Sequence, residues 1–175
     1  YLHHDKKGKS FENIAEMGSR LIQAAKNAGI NITLIPIFYQ KGGFSKEATI
    51  EQRRFISNNI DAYISLFEAS KSLTLKESHA SIGLGIHSMR AVETDNIIKV
   101  SNFRHDYIPF HIHVSEQIKE VEDSLHYLKA RPVEWLSDNI SLSKDYHLVH
   151  ATHLVEKEIN AIANSKANVV ICPST

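Results

Sequence analysis

In Phe110-His111-Ile112-His113-Val114-Ser115-Glu116-Gln117, apolar and imidazole side chains alternate, and the run is rich in β-branched and aromatic residues. That is the pattern of a strand. A side-chain period of two puts His111 and His113 on one face, with Phe110, Ile112 and Val114 on the other. The run breaks at Ser115-Glu116-Gln117, and Ile118, Val121, Leu125 and Leu128 then follow at helical spacing. Imidazoles on one face of a buried strand, with a carboxylate just past its end, suit a metal site in a β/α enzyme. Neutral imidazole is a good zinc ligand, and a nearby carboxylate can carry protons to and from a metal-activated water. A pair of core histidines satisfied by backbone carbonyls fits the same residues, so the flanking chain has to decide.

Downstream, Arg131-Pro132 opens a second helix, with Pro132 in its first turn and Trp135-Leu136 on its apolar side. A strand at Tyr146-His147-Leu148-Val149-His150 follows, then a helix over 155–164 and a strand over 168–172. Upstream, residues 94–103 read as a helix and Ala80-Ser81-Ile82-Gly83-Leu84-Gly85-Ile86-His87 as a strand. Glycines at its alternate positions imply that bulk is not tolerated on one face. Before it come an amphipathic helix over 60–73 and a Thr49/Gln52 capping box ahead of Arg53-Arg54-Phe55. A glycine-rich loop, Gln40-Lys41-Gly42-Gly43-Phe44, precedes that box. Residues 31–39 form a nearly continuous apolar strand, of the kind buried on both faces in parallel sheets. Ser10 reads as the N-cap of a helix carrying Phe11, Ile14, Leu21, Ile22 and Ala25, stopped at Gly29. Tyr1-Leu2-His3-His4-Asp5 reads as the tail of a further strand.

Helices between successive strands, with no hairpin signals, mean a parallel α/β architecture. His87, His113, His150 and Tyr1 all fall at the C-terminal ends of predicted strands, with Arg90, Glu116 and His153 in the loops beyond. In a (β/α)8 barrel such ends converge on one mouth, where active sites are built, whereas an open sheet concentrates them at a single switch point. Gly83 and Gly85 lie inside a strand and no third glycine completes a dinucleotide fingerprint, so the barrel is the better reading.

Composition narrows the function classes. The chain has 175 residues, 42% of them hydrophobic, enough for one globular domain or part of a larger one. Twenty basic and twenty acidic residues cancel, which gives no electrostatic case for nucleic acid or a membrane surface. No apolar run approaches the roughly 20 residues a membrane span needs. The single cysteine, Cys172, forms no internal disulfide framework and is compatible with a reducing, cytoplasmic setting; it is read as packing. Eleven histidines in separate segments are the unusual feature. The chain begins at Tyr1 without methionine and stops at Thr175 just after an apolar strand, and is read as an internal piece of a longer polypeptide, one partial barrel domain over 1–175.

His-x-His-x-x-Glu at one strand end, with a histidine at the next, resembles the amidohydrolase superfamily. Four segments together resemble its formimidoylglutamate deiminase family: Gly85-Ile86-His87-Ser88-Met89-Arg90-Ala91-Val92, the His111–Gln117 run, Arg131-Pro132-Val133-Glu134-Trp135-Leu136, and Leu148-Val149-His150-Ala151-Thr152-His153. Tyr1–Asp5 and the ending Cys172-Pro173-Ser174-Thr175 agree with it. The resemblance implies a zinc-dependent (β/α)8 TIM barrel, of which this chain covers roughly the second to seventh strands. It implies His113 as zinc ligand, Glu116 as the acid/base and His150 as a residue that orients the attacking water and substrate. His87 and Arg90 would bind the glutamate end of a small dicarboxylate substrate, with Arg90 on a carboxylate and Tyr1 lining the pocket. The reaction implied is loss of ammonia from N-formimino-L-glutamate, in histidine degradation. The family's other zinc ligands, a His-x-His pair on the first strand and an aspartate on the eighth, have no counterpart here. The superfamily is often dimeric, so a homodimer is compatible with the resemblance, although no stretch marks an interface. A related aminohydrolase acting on a purine or other aryl amine, and a catalytically inactive structural segment, are the other readings. Stacking aromatics in place of an arginine anchor would favour the purine.

Overall fold

Pro36 breaks the apolar run expected over 31–39. Ile32–Leu34 (β1) and Ile37–Phe38 (β2) are its two halves, separated at a residue that has no N–H for a ladder. The next run divides likewise at Gly83, into Ala80–Ile82 (β3) and Leu84–Ser88 (β4). β1 pairs with β3 and β2 with β4, both parallel. Phe110–Val114 (β5), Tyr146–His150 (β6) and Asn168–Val170 (β7) extend the sheet in the order β2-β4-β5-β6-β7, every pair parallel. This computed structural model describes residues 1–105 and 107–174; Thr175, quoted above in the ending, lies outside them.

Six helices accompany the strands among the described residues: Glu16–Ala28 (α1), Ile60–Thr74 (α2), Thr94–Phe103 (α3), Ile118–Leu128 (α4), Pro132–Asn139 (α5) and Glu156–Ser165 (α6). Asn59 caps α2 by accepting the N–H of Ala62 at 2.9 Å. Gly29 ends α1 in the left-handed conformation, φ 71°, as its position predicts. The start of α1 differs from expectation. Ser10 pairs with His4 in an isolated bridge, and the helix begins only at Glu16, so Phe11 and Ile14 precede it. Tyr1–Asp5 is a loop rather than a strand tail, tightened by the Asp5 carboxylate, which accepts the N–H groups of Lys7 and Lys9. Thr49 N–H does reach Gln52 Oε1, at 2.8 Å, but the turn that follows, Gln52–Arg54, is a short 3-10 helix. No helix among the described residues is long and apolar enough to cross a membrane.

The two faces of the sheet are unlike. Leu84, Ile86, Phe110, Ile112, Val114, Tyr146 and Leu148 point to the helices and are at most 1% exposed, packed with Tyr63, Phe67, Ile97, Val100, Val133 and Leu136. Each such side chain contributes about 1.5–3 kcal/mol of burial, so this layer carries most of the stability. The opposite face carries Gly85, His111, His113, His147 and Val149. A Cβ on Gly85 would lie 2.4 Å from Ile37 Cδ1 and 2.8 Å from Ile35 Cγ2, which explains the glycine there. On this face His111 stacks on His147, centroids 4.4 Å apart, below the level of His113.

Candidate active site

Three neighbouring strands, β4, β5 and β6, carry His87, His113 and His150 side by side at or one residue before their C-terminal ends. The β4–β5 register shifts between Ile86 and Ser88, a bulge that re-aims the backbone of His87. Its carbonyl oxygen accepts a hydrogen bond from His113 Nδ1 at 2.7 Å. A carbonyl only accepts, so the proton is on Nδ1 and the Nε2 lone pair of His113 is turned toward the mouth. That is the tautomer a metal ligand needs.

The His87 ring lies between Tyr39, stacked on it at 4.5 Å, and His113 at 5.2 Å. Burial above all, then the neighbouring His113 and Arg90, lowers the His87 pKa to about 4, so the ring is neutral at physiological pH. Tyr1, Ile37, Tyr39, Phe55, His87 and His113 enclose a cavity of about 310 Å³. Tyr1 is fixed there by a hydrogen bond between its hydroxyl and that of Ser70, and Tyr39 by one from Gln52.

His150 reaches the site by an unexpected route. In register it pairs with Val114, whose side chain faces the helices, and strict alternation with Tyr146 and Leu148 would send it the same way. Instead His150 and Ala151 take positive φ values, 72° and 49°. The ring turns over the mouth, stacked on His113 at 5.4 Å with Nε2 3.8 Å from Glu116 Oε1. The backbone of this loop is tied to the one before it, since Ala151 N–H donates to Val114 O and His153 N–H to Ser115 O, both at 3.0 Å.

Glu116 follows Ser115, itself left-handed at φ 51°. Arg90 Nη2 lies 3.9 Å from Glu116 Oε2 and 3.8 Å from an oxygen of Glu120. These are ion pairs without direct hydrogen bonds. Arg90 opens onto a second cavity of about 330 Å³, which it shares with Lys46, Gln117, Lys119 and Tyr127. The structure thus brings Tyr1, His87 and His113 into one cavity and Glu116 and His150 to its edge, with Arg90 behind Glu116. Glu120 is a participant the sequence reading missed. It is buried, and it accepts the N–H groups of Ser115 and Glu116, both at 3.1 Å. Its signal was a glutamate three residues past the helix N-cap Gln117.

Among the described residues no group of three or more His, Cys, Asp or Glu is arranged to hold a metal ion. A catalytic zinc takes roughly three protein ligands, so His113 fits as one ligand and the described residues do not complete the set.

No family model matches the chain. It is 41% identical over 176 aligned residues to formimidoylglutamate deiminase of Pseudomonas aeruginosa, covering all of this chain and 38% of that protein. It is 33% identical over 90 residues, 51% of the chain and 21% of the relative, to 5-methylthioadenosine/S-adenosylhomocysteine deaminase of Halobacterium salinarum. Among solved structures, an amidohydrolase from Brucella melitensis superposes with a TM-score of 0.93 at 39% identity, over 99% of this chain and 39% of that one. A zinc-bound adenosine deaminase from Xanthomonas campestris shares the fold, with a TM-score of 0.72 at 20% identity, over 89% of this chain and 33% of that one. Over its whole length the chain is similar to part of formimidoylglutamate deiminase, and its fold is that of an amidohydrolase barrel.

Proposed function

We propose that this chain carries one side of the active site of a zinc-dependent deiminase that converts N-formimino-L-glutamate and water to N-formyl-L-glutamate and ammonia. The observation that carries the reading is the tautomer of His113. Its Nδ1 is committed to the His87 carbonyl, its Nε2 is left for a metal, and Glu116 and His150 stand at the same mouth. Similarity over the whole of this chain to 38% of formimidoylglutamate deiminase supports the substrate. The setting is cytoplasmic histidine degradation, and the partners are a dicarboxylate substrate and a second copy of the chain in a homodimer.

In this reading His113 holds the metal together with ligands from elsewhere in the barrel, and the zinc supplies Lewis acidity that makes water a competent nucleophile at neutral pH. Glu116 takes a proton from the water as its oxygen bonds to the formimino carbon and delivers it to the imino nitrogen. The second proton, from the hydroxyl now on that carbon, passes through Glu116 to the same nitrogen as the amine leaves. The C–N bond breaks, ammonia departs, and the carbon keeps its oxygen as a formyl group. His150, 3.8 Å from Glu116, orients the attacking water. His87, neutral and stacked on Tyr39, donates to or accepts from the substrate without adding charge. Arg90 holds a carboxylate of the substrate.

The aromatic walls of the His87 cavity, Tyr1, Tyr39 and Phe55, favour a second reading, an aminohydrolase of a purine or aryl amine that stacks between them. Metal content and ammonia release, measured on the full-length parent and its Arg90→Ala variant, separate the two. About one zinc per chain is expected, with KM for formiminoglutamate raised about tenfold or more in the variant, the worth of a charge-assisted hydrogen bond. Zinc without ammonia release from that substrate would move the assignment to another amine, and absence of bound metal to a structural role.

A further inference from the structure

Among the described residues two glutamates are buried, Glu120 at 2% exposure and Glu158 at 1%. They occupy the same place in successive β/α units, three residues past the N-caps of α4 and α6. Both turn their carboxylates back onto main-chain N–H groups, and each has one arginine. Glu158 accepts from Val133 and Val155, at 3.0 and 3.2 Å, and bonds Arg131 Nε directly at 2.7 Å. Glu120 accepts from Ser115 and Glu116, but its arginine stands off. Arg90 Nη2 is 3.8 Å from Glu120 and 3.9 Å from Glu116, and Arg90 Nε is buried with no hydrogen-bond partner among the described residues. One arginine is thus suspended between two carboxylates, one of them the proposed acid/base.

We propose that Glu120 is a positioning residue for the reaction: its carboxylate fixes the Ser115–Glu116 turn and holds Arg90 back from Glu116, leaving Glu116 able to accept a proton and Arg90 able to take a substrate carboxylate. The inference rests on the roles proposed above for Glu116 and Arg90. Its physical basis is competition for one cation. A carboxylate closed into a two-pronged pair with a guanidinium is stabilised as the anion and is a poor base. A second, buried anion beside it competes for the guanidinium and draws it away from Glu116. The backbone bonds matter as well. Ser115 holds a left-handed conformation that a non-glycine residue rarely adopts, and the two N–H groups gathered by Glu120 flank that residue's Cα. The charged and titratable groups facing Glu116 are Arg90 and His87 from β4 and its loop, His150 from β6, and Glu120 from α4. Lys46, Lys119 and Asp123 line the cavity on the far side of Glu120, with Lys119 paired to Asp123.

The test uses the full-length parent. Glu120→Gln keeps the shape and removes the charge, so Arg90 is expected to close on Glu116. The kcat should fall about tenfold or more with zinc content unchanged, and the acidic limb of kcat/KM should move to lower pH, because a base paired with a cation ionises earlier. Glu120→Asp keeps the charge but is one methylene short of the two N–H groups. It should lose rate while moving the acidic limb less. Wild-type kcat with an unmoved limb in Glu120→Gln would overturn the proposal. Should that variant fail to fold, wild-type kcat in Glu120→Asp would overturn it. If the wild-type parent releases no ammonia from formiminoglutamate, it is the proposed function that fails. A crystal structure of Glu120→Gln then decides the positioning role: Arg90 within hydrogen-bond distance of Glu116 supports it, and an unchanged Arg90 and Ser115 turn overturns it.

Discussion

His3 shows what burial does to a single titratable side chain. It is 5% exposed, its Nε2–H donates to the carbonyl of Phe55 at 2.9 Å, and burial, with His4 beside it, lowers its pKa from 6.5 to about 4. The unfolded chain therefore binds a proton that the folded chain refuses across that window, and stability falls as pH is lowered from about 6.5 toward 4. Glu120, whose pKa burial raises, acts with the opposite sign. Thermal unfolding followed across this range should show a falling midpoint, and His3→Gln should flatten the dependence. Gly85→Ala, which drives a methyl group into Ile35 and Ile37, should cost about 1–3 kcal/mol in denaturant unfolding. At this scale the sequence was informative about which side chains matter and less so about how they are aimed. His87, His113 and Glu116 follow from alternation and strand ends. His150 does not, because residue types do not announce a left-handed φ, and the alternation that locates His113 points His150 to the wrong face.

The elements were legible wherever a periodic pattern ran uninterrupted. The residues of α3, β5, α4 and β6 coincide with their sequence expectations, each bounded by a clear change of period. The misses share a cause: local chemistry was read without its tertiary competitor. Ser10 has the side chain of an N-cap, yet its backbone is taken by His4, and the helix starts later. Residues 31–39 are a nearly continuous apolar run, but Pro36 lets the two halves choose different partners. Below the level of pattern lie the two buried glutamates, since a glutamate three residues into a helix looks like ordinary capping. Glu158 carries the sharper stability prediction. Arg131, besides bonding it, donates to the carbonyl of His153 at 2.7 Å, so the pair joins the start of α5 to the loop after β6. Glu158→Ala would strand that arginine and two main-chain N–H groups, and should cost about 3–5 kcal/mol by denaturant titration.

For the molecule as a whole, the parallel α/β order and the convergence of polar residues at one end of the sheet followed from the sequence. The ligand set did not, because a barrel mouth is assembled from staves distant in the chain, and among the described residues no group of three or more His, Cys, Asp or Glu is arranged to hold a metal. β2 and β7 border the five-stranded sheet, and Ile171 is 76% exposed just beyond β7. We therefore propose that the 175-residue chain taken alone releases no ammonia, holds zinc poorly and self-associates through these edges. Light scattering and metal analysis would check this, and a monomeric, active preparation would refute it.

The bond from His113 to residue 87 is made to a main-chain oxygen, and every amino acid has one. Point substitution at position 87 can therefore alter the cavity wall while leaving the Nδ1-protonated tautomer of His113 in place. A single-residue deletion across 86–88 would slide the register and remove that oxygen from reach. The proposed metal role of His113 is in this sense insulated from drift in side-chain identity and vulnerable to changes in chain length, so the two roles proposed to meet at residue 87 are free to evolve separately.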